Sequence, residues 1–351
     1  MNDVTIAGRK IGAGHKPFIV AEMSGNHNQS LDRALEIVRA AARAGADGLK
    51  IQTYTADTMT LDVTDRDDFV IRDSNSLWKG NSLYSLYQQA YTPWEWHKPI
   101  LDLCRELGMV GFSTPFDASS VDFLEELDVP CYKIASFENS DIPLLRKVGS
   151  LGKPVIVSTG MASLAELDEA VRTLRDAGSG DIILLKCTSS YPATPENSNI
   201  LTIPHMRDLF GCQTGLSDHT MGIGAAVASV ALGATVIEKH FTLSRADGGV
   251  DSAFSLEPAE LAALAVETER AWLSLGQVSY GLSASEESSR RFRRSLYVAR
   301  DIKAGEMLTA DNIRCIRPGY GLAPKYYDLV IGRQAGRDLA KGTPLTWDCL
   351  R

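Results

Sequence analysis

The sequence has no excess of positive charge. Lys and Arg number 36 against 44 Asp and Glu, a formal net charge of −8, which excludes a chain held on nucleic acid by a general basic surface. Any anionic ligand must then be met by local cations. The six cysteines, Cys104, Cys131, Cys187, Cys212, Cys315 and Cys349, include no C-x-x-C pair. That fits neither a disulfide framework nor a thiolate zinc site, and reduced thiols in a cytoplasmic protein are expected. The amino terminus, MNDVTIAGRKIGAG, lacks the apolar stretch and small-residue cleavage site of a secretory signal. The best apolar run, around residues 225–237, is broken by Gly233 and falls short of the ~20 residues a membrane span needs. There is no G-x-G-x-x-G and no P-loop, which speaks against a doubly wound nucleotide-binding sheet.

What is present is a chain of 351 residues, 44% hydrophobic, long enough for more than one core. Short β-branched runs alternate with segments of helical period, which predicts parallel strands joined by crossover helices. Eight strands are expected: PFIVAEMS from Pro17, GLKIQTY from Gly48, MVGFSTPF from Met109, CYKIASFE from Cys131, PVIVSTGM from Pro154, IILLKCTSSYP from Ile182, QTGLSDHT from Gln213 and VIEKHFTL from Val236. Between them lie SLDRALEIVRAAARAG, with Ser30 and Gly45 as caps, and SLAELDEAVRTLRDAG, which opens on the S-x-x-E capping box at Ser163. The strand starts are spaced by 22 to 31 residues except after the second, where the interval is 61. An inserted excursion at 56–91, carrying Trp78, Tyr84, Tyr87 and Tyr91, therefore follows the second strand, on the side where barrels grip substrates.

The fold class expected is α/β, a (β/α)8 TIM barrel over residues 1–276. A polar, serine-rich linker at 277–294 leads to a small β-rich domain at 295–351, where K-A-G-E and K-G-T-P turns punctuate short strands.

Parallel strands buried on both faces read as nearly unbroken Val, Ile and Leu. These strands instead end in polar residues: Glu22, Lys50 with Gln52, Thr114, Lys133 with Ser136 and Glu138, Ser158, Lys186 with Thr188, Ser217 with Asp218 and His219, and Glu238 with His240. All lie at the strand ends where barrel active sites form, and unpaired burial would cost several kcal/mol per group. A catalytic mouth is expected. Lys50, Lys133 and Lys186 are candidates for a cationic nest around a small phosphorylated or carboxylated substrate. His219 and His240 end adjacent strands, about 4.8 Å apart laterally, and two imidazoles suit an open, catalytic divalent-metal site rather than a closed structural one. Glu22, Glu138, Asp218 and Asp251 are candidates to hold a bound water or serve as general acid or base, or else to pair with a neighbouring lysine.

The ordered series AEMSGNHN, KIQTYTADTMTL, STPFD, KIASFE, STGM, KCTSSYP, GLSDHT and EKHFTL resembles the sialic acid synthase family across the whole barrel. The tail from Leu296 resembles that family's antifreeze-like, or SAF, domain. The resemblance implies condensation of phosphoenolpyruvate with an open-chain amino sugar aldehyde, releasing phosphate. It implies that Lys50, Thr114, Lys133, Ser136, Ser158, Ser189 and Ser217 surround phosphoenolpyruvate. It implies that His219 and His240 hold a divalent ion, manganese, with magnesium and cobalt as alternatives. Glu22, Gln52, Tyr191 and Asp251 would sit around the sugar, with Arg317 reaching it from the SAF domain of a partner subunit in a domain-swapped homodimer. Departures at Lys186 to Ser189 and at Gly249 to Ser252, together with Leu77-Trp78, are similar to the pseudaminic acid branch of the family rather than its N-acetylneuraminate or legionaminate branches. For a 6-deoxy, diacetamido acceptor, Phe254 and the aromatic residues of the excursion are the expected apolar contacts. Two other readings remain open: a Schiff-base aldolase using a desolvated lysine such as Lys133 or Lys186, and a non-enzymatic carbohydrate-binding protein.

Overall fold

An antiparallel hairpin, β1 (Val4–Ile6) and β2 (Arg9–Ile11), opens the computed structural model, which describes residues 2–63, 66–72 and 76–351. Eight parallel strands follow: β3 (Phe18–Glu22), β4 (Gly48–Thr53), β5 (Val110–Pro115), β6 (Tyr132–Ile134), β7 (Val155–Ser158), β8 (Ile182–Cys187), β9 (Gln213–Asp218) and β10 (Val236–His240). They close in chain order, with β10 pairing back onto β3. The expected barrel is therefore present, with helices in its crossovers.

Strand parity separates two apolar populations. Ile19, Ala21, Leu49, Ile51, Leu216 and Ile237 face outward, packed with Ala34, Ile37 and Ala41 of the Leu31–Arg43 helix. Phe18, Val20, Phe112, Ile156, Leu185 and Val236 face inward and form one cluster with Val4, Ile6 and Ile11 of the hairpin. The hairpin thus plugs the end where the strands begin, and the inward positions are mostly apolar there, Gln213 donating to Asn2 O being an exception, and polar at the other end. Burying each such side chain contributes about 1.5–3 kcal/mol.

The expected caps form. Ser30 accepts the Arg33 N–H, Ser163 and Glu166 make a reciprocal capping box, and Gly45 and Gly178 take positive φ after the helices they end. One strand is shorter than expected. β6 stops at Ile134, and the chain turns into a 3-10 helix at Ser136–Glu138, so Ser136 and Glu138 stand on a turn above the strand end.

The excursion forms helices at Ala56–Met59 and Leu83–Ala90; its residues 64, 65 and 73–75 lie outside those described. Two buried histidines tie its neighbourhood down. His97 Nε2 lies 2.8 Å from Thr53 Oγ1, and His27 Nε2 lies 3.3 Å from Thr92 Oγ1.

The chain divides after Gly276 into two compact units. The second contains a 3-10 helix, Ala284–Phe292, within the stretch expected as a linker, and a two-stranded ladder, β11 (Ser295–Val298) with β12 (Ile313–Ile316). Leu296, Val298, Ile302, Leu308, Ile313 and Leu345 are among its core residues. Among the described residues, no helix is long and apolar enough to cross a membrane, and all six cysteines are free.

Candidate active site

Because side chains alternate along a strand, the parity that sends Phe18, Val236 and Ile156 inward also sends in Glu22, Glu238 and His240, and Ser158. Lys50 and Lys133 converge as expected. Lys50 Nζ lies 2.8 Å from Glu22 Oε2, 3.6 Å from Glu238 Oε1 and 3.3 Å from Thr114 Oγ1. Lys133 Nζ donates to Ser158 Oγ at 2.7 Å and lies 3.8 Å from the same Glu238 oxygen, which also accepts from Ser217 Oγ at 3.3 Å. The nest is therefore charge-balanced by two buried carboxylates rather than purely cationic.

Two candidates do not join it, and parity is the reason. Lys186 faces outward and donates to Cys187 O and Thr188 Oγ1. Asp218 also faces outward, and its carboxylate meets Lys239 Nζ at 2.7 Å, both side chains 1% exposed. Asp218 takes the alternative role of ion-pair partner.

Electrostatics follow the geometry. Burial works to lower the Lys50 pKa, but the Glu22 and Glu238 carboxylates outweigh it and hold the ammonium above its ordinary range. Burial lowers Lys133, only partly opposed by Glu238. For Glu238 burial is outweighed by Lys133 and Lys50, so it stays ionised, whereas burial and the nearby Glu238 charge raise Glu22. Glu138, on its turn, has a buried Oε2 without a partner, and burial pushes its carboxyl up to about 7.

A cradle of hydroxyls adjoins Lys133. Ser136 Oγ accepts the Gly160 N–H at 3.1 Å, and Asn139 Nδ2 donates to the Ser158 and Gly160 carbonyls. A Cβ on Gly160 would lie 2.6 Å from Ser136 Oγ and would also collide with Ser189 Oγ. The glycine leaves a small polar space open between Ser136 and Ser189, both expected to face phosphoenolpyruvate.

The imidazoles of His219 and His240 stand with ring centroids 5.3 Å apart. His219 Nδ1–H donates to Thr188 O at 2.9 Å, which leaves Nε2 as the ring nitrogen free for another partner. Burial works to lower the His219 pKa, but Cys187 and the Thr188 carbonyl outweigh it and raise it above the ordinary histidine range. His240 Nδ1 is buried without a hydrogen-bond partner, 3.8 Å from Asp251 Oδ2. Burial and the adjacent His219 hold His240 well below the ordinary histidine range, so it is neutral. Two adjacent imidazoles, one with an orphaned buried nitrogen, beside a carboxylate fit a divalent ion with open positions. Among the described residues no group of three or more such ligands is preassembled.

The sugar-side candidates form a connected set. Gln52 Nε2 donates to Glu22 Oε1 at 3.0 Å and to Ser24 Oγ at 3.1 Å, and Ser24 Oγ donates to Asp251 Oδ2. Tyr191 lies 4.4 Å from the His219 ring. Phe254 is 2% exposed and packs against His240 at 4.9 Å and Tyr191 at 5.4 Å; it backs the imidazole pair, and its exposed neighbour is Ala253. Arg317 is exposed and belongs to the second unit. Glu238, Ser24 and Gly160 had no assigned role. Glu238 shares the inward parity of His240, a signal present in the sequence; the other two are visible only in three dimensions.

Residues 37–280 match the NeuB family and residues 293–351 match the SAF domain. The chain is 42% identical over 330 residues to the pseudaminic acid synthase of Campylobacter jejuni, covering 94% of this chain and 95% of that one. It is also 42% identical to the pseudaminic acid synthase of Helicobacter pylori, covering 95% and 97%. The crystal structure of the N-acetylneuraminic acid synthetase of Leptospira borgpetersenii superposes with a TM-score of 0.72 at 32% identity, over 82% of this chain and 95% of that one. Extended over nearly the full length of such relatives, this chain belongs to the NeuB family, with a SAF domain after its barrel.

Proposed function

We propose that this chain joins phosphoenolpyruvate to the open-chain aldehyde of 2,4-diacetamido-2,4,6-trideoxy-L-altrose, consuming water and giving pseudaminic acid and inorganic phosphate. The observation that carries the reading is the juxtaposition at one barrel mouth of the Lys50–Lys133 nest, its hydroxyl cradle and the imidazole pair. The names of the relatives at 42% identity support the choice of acceptor.

Lys50 and Lys133, with Thr114, Ser136, Ser158, Ser189 and Ser217, hold the carboxylate and phosphate of the enol phosphate. Glu22, Gln52, Tyr191 and Asp251 meet the sugar. His219 and His240 hold a divalent ion, manganese in preference to magnesium or cobalt, and such an ion supplies Lewis-acid polarisation of the aldehyde when bound. C3 of the enol attacks the aldehyde carbon, forming the new C–C bond and leaving positive charge at C2, which the buried carboxylates stabilise. Water adds at C2, one of its protons passing by way of Glu22 or Asp251 to the former aldehyde oxygen, which becomes the product hydroxyl, while the other leaves with the phosphate. The C2–O bond then breaks, phosphate leaves with the electron pair, and C2 becomes the keto carbon. Glu138, with a pKa near 7, suits proton exchange with the departing phosphate. The reading includes a cytoplasmic, domain-swapped homodimer in which Arg317 of the partner subunit reaches the acceptor, a feature supported by the family resemblance.

The test is phosphate release from phosphoenolpyruvate labelled with 18O at the bridging position, with a panel of acceptors. The label is expected in phosphate, with release dependent on the diacetamido sugar. Preference for N-acetylmannosamine would overturn the acceptor, and label retained in the keto acid would overturn C–O cleavage.

A further inference from the structure

Beside the mouth lies a cleft of about 500 Å3, walled by the turn after β3, the inserted excursion and the 249–253 loop. We propose that this cleft seats the acylated, deoxygenated end of the acceptor sugar, remote from its aldehyde, and that Trp78 is the wall that sets specificity there. The inference rests on the reading given under Proposed function.

Position is the first argument. The Trp78 indole N–H donates to Val250 O at 2.8 Å, one residue before Asp251. Its ring lies 5.9 Å from Tyr191, which in turn lies 4.4 Å from His219. Gly25, in the cleft wall, follows Ser24, which holds Asp251. A sugar with its aldehyde at the imidazole pair and its chain passing Tyr191 enters this cleft.

Composition is the second. In a chain with 23% charged residues, no charged side chain among the described residues lines the cleft. A phosphate or carboxylate placed there would lose water without gaining a counter-charge. The lining instead offers the amides of Asn28, Gln29, Asn81 and Gln89 beside the apolar surfaces of Trp78 and Leu86. An acetamido group matches that mixture: its N–H and C=O pair with side-chain amides, and its methyl lies on apolar surface.

The wall is fixed before any ligand arrives. Gln29 Nε2 donates to Gln89 O at 3.0 Å and Tyr91 O at 2.8 Å, and Asn28 Nδ2 donates to Gly248 O at 3.2 Å. Gly249, at φ +135°, lets its loop approach so closely that a Cβ would lie 2.7 Å from Asn28 Oδ1. A rigid cleft discriminates better than one that must be ordered by its ligand.

The experiment compares two acceptors at saturating phosphoenolpyruvate: the diacetamido sugar, and the same sugar with hydroxyl in place of the 4-acetamido group. Wild type is measured first and is expected to prefer the diacetamido sugar in kcat/KM by tenfold or more, on the order of one well-read group. Trp78→Ala, and Ala253→Leu at an exposed position that should fold normally, are expected to cut that preference to about threefold or less. The change should be carried by the acceptor KM, with the phosphoenolpyruvate KM unmoved. Wild-type preference retained in both variants, or equal losses on both sugars, overturns the assignment. A wild type that turns over neither sugar overturns the proposed function itself, before any variant is made.

Discussion

Lys133 Nζ stands 3.8 Å from Glu238 Oε1 inside the barrel, where the two side chains are 2% and 6% exposed. Removing the lysine leaves Glu238 with less of its compensation, and Lys133→Met is expected to lower stability by roughly 3 kcal/mol. Glu238→Gln added to it should restore most of that loss. Phosphoenolpyruvate binding should remain lost in both variants, because the anion's own cation is gone. Urea midpoints and a phosphoenolpyruvate titration check this; restored binding in the double variant would contradict the role of Lys133.

Gly160→Ala tests the hydroxyl cradle. The added methyl must displace both Ser136 and Ser189, so the phosphoenolpyruvate KM is expected to rise by about a hundredfold. Thermal unfolding should shift little, since φ of Gly160 is not in the left-handed range. An unchanged KM would place the phosphate elsewhere.

The Asp218–Lys239 pair is structural by its outward parity. Asp218→Asn is expected to cost about 3 kcal/mol, because Lys239 is left buried without a counter-charge. Manganese affinity of the folded variant should match wild type. A tenfold loss of metal affinity would return Asp218 to the site.

His27 and His97 are held down to about 4 by burial, against about 6.5 in an unfolded chain. Each therefore contributes stability that is complete above pH 6.5 and is lost as pH falls toward 4, roughly 3 kcal/mol per residue at full loss. Glu138, raised to about 7 by burial, acts with the opposite sign over the same window, so the informative quantity is a difference. Between pH 7 and 4.5, wild type should lose more stability than His97→Gln. Parallel pH profiles in urea unfolding would refute this account of His97.

The barrel was legible because strand runs, caps and spacing agreed with one another. The position of the mouth was legible because polar residues gathered at one end of every strand. Parity is legible too, and in the sequence alone it turns Lys186 and Asp218 outward. The inward facing of Glu238 is legible from its parity with His240, but nothing in the sequence says that two lysines from other strands meet its carboxylate. Ser136 and Glu138 lay beyond the reach of a strand pattern, since the 3-10 turn that ends β6 has no distinct hydrophobic period. The cleft beside Trp78 depends on three segments far apart in the chain, and only the closed barrel brings them together.

The central claim is that His219 and His240 hold one divalent ion beside the enol phosphate site. Manganese titration followed by electron paramagnetic resonance measures it directly on wild type, His219→Ala and His240→Ala. One ion per chain is expected on wild type, with affinity at least a hundredfold weaker in each variant. Equal manganese binding by all three proteins would contradict the account.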